Sequence, residues 1–276
     1  MPKRFSSVVG RSFGDGVRDA IQSTGMTQRR IAELLDWEEA KVSDLVKGKG
    51  GVTEVEVATL LGLCRTEAGE LRRLLALFKE TREKGFLQFY EAGLPGQICT
   101  LAEQERLATK IFVWSATLVP GLLQIDPYIR AVVAATPLVK PDYLDEVVAA
   151  KAGRRSVFHR SREFTFYIHE QALRLPVGGP AVMREQLRHL LAMLVRPYVT
   201  MRVVPTRIGA HGGLGGSFTQ LRYEKHEPAV FAETADPGLV VEDKGSVAAY
   251  DLVLAQLSRE ALDEVESREL IADLLA

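Results

Sequence analysis

The stretch GMTQRRIAELLDWEEAKVSDLVKGKG, residues 25–50, decides how the amino-terminal part of this chain folds. Its apolar residues recur with helical spacing, which predicts one helix over residues 28–35 and a second over about 38–47. Thr27 is a typical amino-terminal cap for the first helix, and Gly48 is a typical end for the second. The stretch therefore predicts a helix-turn-helix, a unit that lays its second helix in the major groove of DNA.

The chain divides in the sequence pattern into a helical head, residues 1–85, and a longer body, residues 86–276. Its length and its 46% hydrophobic content suffice for a small and a medium-sized globular unit. Charged helix gives way to aromatic and Gly/Pro-containing sequence at the join, where we expect Phe86, Phe89 and Tyr90 to pack head against body.

The body combines helix and strand patterns. The segment EFTFYIHE alternates as a strand, and four short strand patterns follow later: VTMRVVP, GSFTQLRYE, AVFAET and GLVVED. The turns between the late strands are too short for crossovers, so the body is predicted to be an α+β domain with a small, mostly antiparallel sheet.

Composition excludes several functional classes. Lys plus Arg number 35 against 36 Asp plus Glu, so the chain lacks the basic excess of a general polyanion binder. Cys64 and Cys99 have no CxxC spacing, and no metal-ligand set is apparent; we expect no metal and no cofactor. No apolar run approaches the length of a signal peptide core or a membrane span, which favours a cytoplasmic protein without membrane partners.

A family resemblance follows from these motifs. The stretch MTQRRIAELLDWEEAKVSDLVKGKGGVT is similar to the lambda-repressor-like, XRE-type heads of a large group of actinobacterial regulators. LVPGLLQIDPYIRAVV, GAHGGLGGSFTQLRY and LVVEDKGSVAAYDLVLAQL resemble, in order, the carboxyl-terminal domain that accompanies those heads. The resemblance implies a lambda-repressor-like helical bundle, a dimer, and a body that binds an effector or a small protein partner.

The predicted recognition helix departs from the pattern of that family. DNA contacts are expected from Gln28, Arg29, Lys41, Ser43 and Lys47. Four acids lie on the same stretch: Asp36, Glu38, Glu39 and Asp44. They bring carboxylates toward phosphates, and residues 1–80 carry 13 Lys plus Arg against 12 Asp plus Glu. Either the two glutamates only cap the helix, or the head has lost tight DNA binding.

Several residues of the body are candidates for a ligand pocket. They are Trp114, Gln124, Tyr128, Arg154, Glu170, His211 and Glu233. The last three could serve as acid and base if the body is an enzyme, because carboxylates and histidines at strand ends can transfer protons. The glycine-rich segment GAHGGLGGSF lacks the GK[ST] ending of a phosphate-binding Walker loop and runs into a strand.

Three functional hypotheses follow. The first is a homodimeric helix-turn-helix transcriptional regulator whose body senses a small molecule or a small protein. The second is a former regulator whose body has become a biosynthetic cyclase, isomerase or hydrolase. The third is an antidote-like protein that sequesters a small partner without needing DNA.

Overall fold

The structure is a computed structural model that describes residues 7–49, 51–81, 86–87, 96–233 and 238–275, with only the backbone of 86–87 and 96–99. The chain forms two compact units, Met1–Phe86 and Leu87–Ala276, here called the head and the body. The predicted packing of Phe86, Phe89 and Tyr90, like the side chain of Cys99, lies outside the described residues. None of the described helices has the length and apolar character that crossing a bilayer requires.

The described head consists of short helices around one apolar core. They are α1 (Val8–Ser23), α2 (Gln28–Leu35), α3 (Glu39–Val46), α4 (Glu54–Leu63) and α5 (Ala68–Glu80). The predicted Thr27 cap is confirmed, since its hydroxyl accepts a hydrogen bond from the Arg30 N–H at 3.1 Å. Asp36 ends α2 in the left-handed conformation, with φ of 54°, and so turns the chain into α3. The arrangement is consistent with a helix-turn-helix.

The backbone of α1 lies in close contact with the end of α3. Gly48 has a φ of 66°, and its Cα lies so near the Gly10 carbonyl that an added Cβ would overlap it. A Cβ on Gly14 would lie 2.6 Å from the Val46 carbonyl oxygen. Glycine is needed at these positions because it lacks a Cβ and, at Gly48, because it adopts positive φ without strain.

We predict that Gly48→Ala lowers the free energy of unfolding of the head by about 2 kcal/mol or more, because it combines a steric overlap with backbone strain. Gly62→Ala is the matched control: Gly62 lies within α4, and an added Cβ would meet no atom within 4 Å. The control should raise stability by about 0.5–1 kcal/mol. Urea unfolding followed by circular dichroism measures both, and equal effects would contradict the prediction.

The body is an α+β domain. Its helices are α6 (Gly96–Leu107), α7 (Asp126–Ala135), α8 (Leu144–Gly153), α9 (Glu170–Arg174), α10 (Pro180–Met193), α11 (Lys244–Glu260) and α12 (Glu264–Asp273). Its strands are β2 (Lys110–Ser115), β3 (Glu163–His169), β4 (Val199–Val204), β5 (Phe218–Arg222), β6 (Ala229–Ala232) and β7 (Leu239–Val241), and β1 (Phe86–Leu87) spans the boundary with the head.

The sheet is mixed, and the prediction of a mostly antiparallel sheet is wrong. The strand order is β1-β7-β6-β5-β2-β3-β4. β3 pairs parallel with both β2 and β4, whereas the pairs β2-β5, β5-β6 and β6-β7 are antiparallel. The reason is connection length: long helical segments follow β2 and β3, and such crossovers return the chain in the same direction. The late strands, joined more tightly, are antiparallel as expected.

Alternation along the strands assigns side chains to the two faces of the sheet. Trp114, Tyr167, Phe218 and Val230 belong to one buried cluster, which they share with residues of α11 such as Leu257. We call this side the α11 face. Neighbouring strand residues point to the opposite face, because successive side chains alternate.

Candidate functional site

The unit of α2, its turn and α3 places its polar residues at or near the surface, but most of its cations already have acidic partners. Arg29 and Arg30 both contact the Glu33 carboxylate, and Lys49 lies 3.5 Å from an oxygen of Asp44. Of the predicted DNA contacts, Gln28 and Ser43 are half-buried and Arg29 and Lys47 are exposed. The Lys47 ammonium donates to the Ser43 hydroxyl at 2.8 Å, so it stays available to an anion.

The Lys41 side chain contacts other residues of the head. Its Nζ lies 2.5 Å from a Glu56 carboxylate oxygen and 4.4 Å from the centroid of the Trp37 ring. The hydrogen bond from Lys41, with further ones from Thr53, lowers the pKa of Glu56 to about 2. Lys41 must exchange Glu56 for a phosphate or a base to contact DNA.

The four acids of the turn and α3 point to solvent. They are Asp36, Glu38, Glu39 and Asp44, all exposed. The Glu38 side chain makes no capping hydrogen bond although Glu38 occupies the cap position of α3. The side-chain capping interpretation therefore fails for Glu38, while Glu39 in the first turn still suits the helix dipole.

In the body, a loop crosses the carboxyl ends of the parallel strands. We call residues 205–217 the edge loop. His169 at the end of β3 pairs with Val204 at the end of β4, and Trp114 near the end of β2 pairs with Phe218 at the start of β5. The loop from β4 to β5 therefore runs along this edge of the sheet. In open α/β sheets, ligands bind in crevices outside the carboxyl ends of the strands.

Hydrogen bonds fasten the edge loop at several points. The Trp114 indole N–H donates to the Gly213 carbonyl at 2.8 Å, and the Ala116 N–H donates to the Ser217 hydroxyl at 3.0 Å. Gly213 lies against the indole so closely that an added Cβ would overlap the ring. The glycine-rich sequence thus lets the backbone lie directly against the Trp114 ring.

Two histidines meet beside this tryptophan. The rings of His169 and His211 are stacked, with centroids 5.4 Å apart and an interplanar angle of 25°. The Trp114 ring lies edge-on to both, at 6.3 Å from His169 and 5.2 Å from His211. We call the two histidines the imidazole pair. The structure thus brings together two predicted pocket residues, Trp114 and His211, and adds His169.

Hydrogen bonds define the tautomer of each imidazole. The Gln171 N–H donates to Nδ1 of His169 at 3.2 Å, and the Gly213 N–H donates to Nδ1 of His211 at 3.1 Å. An accepting Nδ1 carries no proton, so each neutral ring has its proton on Nε2. Burial and the nearby His211 lower the pKa of His169, and Glu170 opposes this shift.

Glu170, a candidate base, is held by two partners. One of its oxygens accepts from Arg174 Nε at 2.7 Å, and the other accepts from the Thr206 N–H at 2.9 Å, which anchors the start of the edge loop. Burial opposes ionisation, but the bonds from Thr206 and Arg174 outweigh it and lower the pKa of Glu170. A carboxylate stabilised in this way is a weaker base. Its hydrogen bond from Thr206 connects α9 to the start of the edge loop.

Gln124 and Tyr128 fasten a different segment. The Val119 N–H donates to the Tyr128 hydroxyl at 3.1 Å, while Gln124 Nε2 donates to the Val119 carbonyl at 2.7 Å. Gln186 of α10, which the sequence did not single out, adds bonds to Leu123 and Ile125. Burial raises the pKa of Tyr128. These side chains stabilise the loop after β2, and neither lies with the imidazole pair in any described contact.

The remaining predicted residues belong to the opposite face. Arg154 forms a bidentate ion pair with Glu105, whose side chain is 0% exposed, with N to O distances of 2.7 and 2.9 Å. Burial, and then the charge of Arg154, lower the pKa of Lys151, while Glu233 opposes this. Glu233 follows Phe231 by two positions, and Phe231 pairs with Thr219 on the face away from Trp114.

The seven predicted pocket residues therefore fall into separate groups. Glu170, His211 and Glu233 do not form one acid-base constellation, because Glu233 and His211 belong to opposite faces. Sequence reasoning missed Glu105 and Lys151. A spacing of three residues between Lys151 and Arg154 on a helix was the available signal for their proximity. Among the described residues, no group of three or more His, Cys, Asp or Glu is arranged to hold a metal ion.

Comparison with known families addresses the body. The model of the family described as Domain of unknown function (DUF5753) matches residues 98–273. The chain belongs to this family. The match covers the edge loop, the imidazole pair and the Arg154–Glu105 pair of the DUF5753 domain. Neither a curated protein nor a solved structure matches the chain.

We predict that Glu105→Gln lowers the free energy of unfolding of the DUF5753 body by about 3 kcal/mol, because it removes the charged partner of the bidentate pair with the buried Arg154. Asp145→Asn is the matched control. It breaks the exposed ion pair with Arg130, where the Asp145 side chain is 84% exposed, and should cost less than about 1 kcal/mol. Urea unfolding of both variants tests this; similar losses would refute the buried-charge argument.

The stability of the body should fall as the pH is lowered below 7. Burial, then the charges of Arg155 and Arg196, lower the pKa of His189 despite Glu185, and the buried Nε2 of His189 has no hydrogen-bond partner among the described residues. The unfolded chain therefore takes up a proton near pH 6.5, before the folded state does, and stability is lost as pH falls toward the folded pKa.

The corresponding test is His189→Leu, which removes this titrating group. Its free energy of unfolding should depend less steeply on pH between 7 and 5 than that of the natural chain, by at most about 1.4 kcal/mol per pH unit. Urea titrations at several pH values give both slopes. An unchanged slope would mean that other groups cause the dependence.

Proposed function

We propose that the protein is a helix-turn-helix transcriptional regulator with a lambda-repressor-like, XRE-type head and a ligand-sensing or partner-binding body. The observation that carries the proposal is the arrangement of two eight-residue helices, α2 and α3, joined by the left-handed turn at Asp36. Arg29 and Lys47 on this unit are exposed, and Gln28 stands at the start of α2. Such units read DNA with the first turns of the second helix.

DNA binding of this head has an electrostatic cost. Arg29, Lys41 and Lys49 must each be separated from a carboxylate of the head before they gain a phosphate. Each exchange reduces the net gain from counterion release, and the exposed acids repel the phosphate backbone. We therefore expect modest affinity that depends on few phosphate contacts, with Lys47 foremost.

Dimerisation is part of the proposal. A homodimer would place two recognition helices about one turn of DNA apart and so read a two-fold symmetric operator. A ligand or small protein bound to the body would change the spacing of these helices only through unequal affinity for two states of the dimer.

A second candidate is an antidote-like protein that binds a small partner without DNA. The exposed acids on the recognition helix, together with the engagement of Lys41 by Glu56, favour it. The enzyme hypothesis has less support, since Glu170 is held by Arg174 and Thr206, and His211 and Glu233 are on opposite faces.

The test is fluorescence anisotropy with a labelled fragment of the promoter of the gene itself, across a salt series. We predict that Lys47→Ala weakens binding and reduces the salt slope by about 1, since one phosphate contact is lost. Lys140→Ala, an exposed change in the body, is the control and should have no effect.

Glu56→Gln tests the role of Lys41. Glutamine retains the capping box that Glu56 forms with Thr53 but removes the charge that holds Lys41, so the variant should bind DNA more tightly than the natural chain. Asp44→Arg with Glu39→Gln should also gain affinity. If the natural chain does not bind and these variants do, the head is a relic and the second candidate stands; if none binds, the regulator proposal fails.

A further inference from the structure

The imidazole pair presents two hydrogen-bond donors that the fold does not use. Nδ1 of each ring is occupied by a backbone N–H, and neither Nε2 has a hydrogen-bond partner in the described parts of the chain. Both side chains are half-buried, and neither Nε2 is among the buried unsatisfied atoms, so solvent or a ligand reaches them. Polar groups in such positions bind water or a ligand.

The acids near the pair are directed elsewhere. Both Glu170 oxygens accept from Arg174 and Thr206. Glu260 accepts from Gln256 Nε2 at 2.8 Å and from the Gly212 N–H at 3.4 Å. Among the described residues neither imidazole Nε2–H donates to these carboxylates, so an acceptor from outside can take that place.

We propose that the imidazole pair binds an oxyanion group of a small molecule through the two Nε2–H groups, beside the ring of Trp114. The two ring centroids are 5.4 Å apart, and two N–H donors on neighbouring rings suit an acceptor with more than one oxygen, such as a carboxylate or a phosphate. Hydrogen bonds to a charged acceptor are stronger than those between neutral groups. The site lies at the carboxyl edge of β2 and β3, where a ligand has access to the strand ends.

The bound ligand would join the fixed sheet to the loop that covers it. His169 ends β3, whereas His211 lies on the edge loop, so one oxyanion held by both links the two segments. The inference rests on the proposed function, for which it supplies the sensing site and the ligand class. It is measured without DNA, so that failure of the site and failure of DNA binding are separate results.

Trp114 is the reporter in the experiment. The chain has two tryptophans, and Trp37→Phe in the full-length protein leaves Trp114 as the single one. Inorganic phosphate and sodium acetate are titrated separately at pH 7.5 and constant ionic strength, with sodium chloride as the reference. We expect a saturable change in Trp114 fluorescence with at least one of the two, and their relative affinity distinguishes a phosphate from a carboxylate ligand.

Matched variants distinguish loss of the Nε2–H donors from loss of the folded structure. Asn at position 211 or 169 can still accept the backbone N–H that Nδ1 accepts but has no group at Nε2, so His211→Asn and His169→Asn should keep the fold and weaken binding about tenfold to a hundredfold. His159→Asn is the control: His159 is exposed and contacts Ser161 through Nδ1. Its affinity should equal that of the parent.

Circular dichroism melting establishes that each variant is folded before binding is compared. The proposal is overturned if neither anion gives a saturable change beyond that of chloride. It is also overturned if the His169→Asn, His211→Asn double variant binds as tightly as the parent, or if His159→Asn weakens binding as much as His211→Asn does.

Discussion

The hydrogen bond from the Trp114 indole to the Gly213 carbonyl determines the position of the edge loop. The indole is fully buried, and its N–H needs an acceptor inside the protein. Gly213 supplies that acceptor and, without a Cβ, lets the backbone lie against the ring. Once the loop is held there, His211 lies beside His169, and Ser217 and Thr206 reach their partners. His211 of the imidazole pair therefore lies on a loop whose backbone satisfies a buried donor.

In the head, most cations of the α2–α3 unit already neutralise acids of the fold. Lys41 is held by Glu56 and stacked on Trp37, and Arg29 and Arg30 share Glu33. Such surface pairs contribute little to stability individually, so phosphates can displace them at small cost. Under the proposed function, affinity for DNA is then a difference between similar electrostatic terms.

In the body, the sheet separates two polar clusters, each of which contains residues that the sequence predicted to line a single pocket. The imidazole pair lies with α11, and the Arg154–Glu105 pair with Lys151 and Glu233 lies on the other side. A buried ion pair contributes less to stability than its geometry suggests, but removing one partner is costly. The Arg154–Glu105 pair therefore acts mainly in stabilising the fold. The imidazole pair, in contrast, has two N–H donors at Nε2 that its described contacts do not use.

The sequence by itself determined the local features of this protein: the Thr27 cap, helices α2 and α3, the late strands, and the membership of Gly48 in a helix end. Each depends on residues a few positions apart, where propensity and capping act directly. Only the tertiary structure decided the parallel pairing of β3, the stacking of His169 on His211, the capture of Lys41 by Glu56 and the opposite placement of Glu233. These depend on crossover direction and strand register, because a shift of one residue moves a side chain to the other face, and no local pattern encodes them.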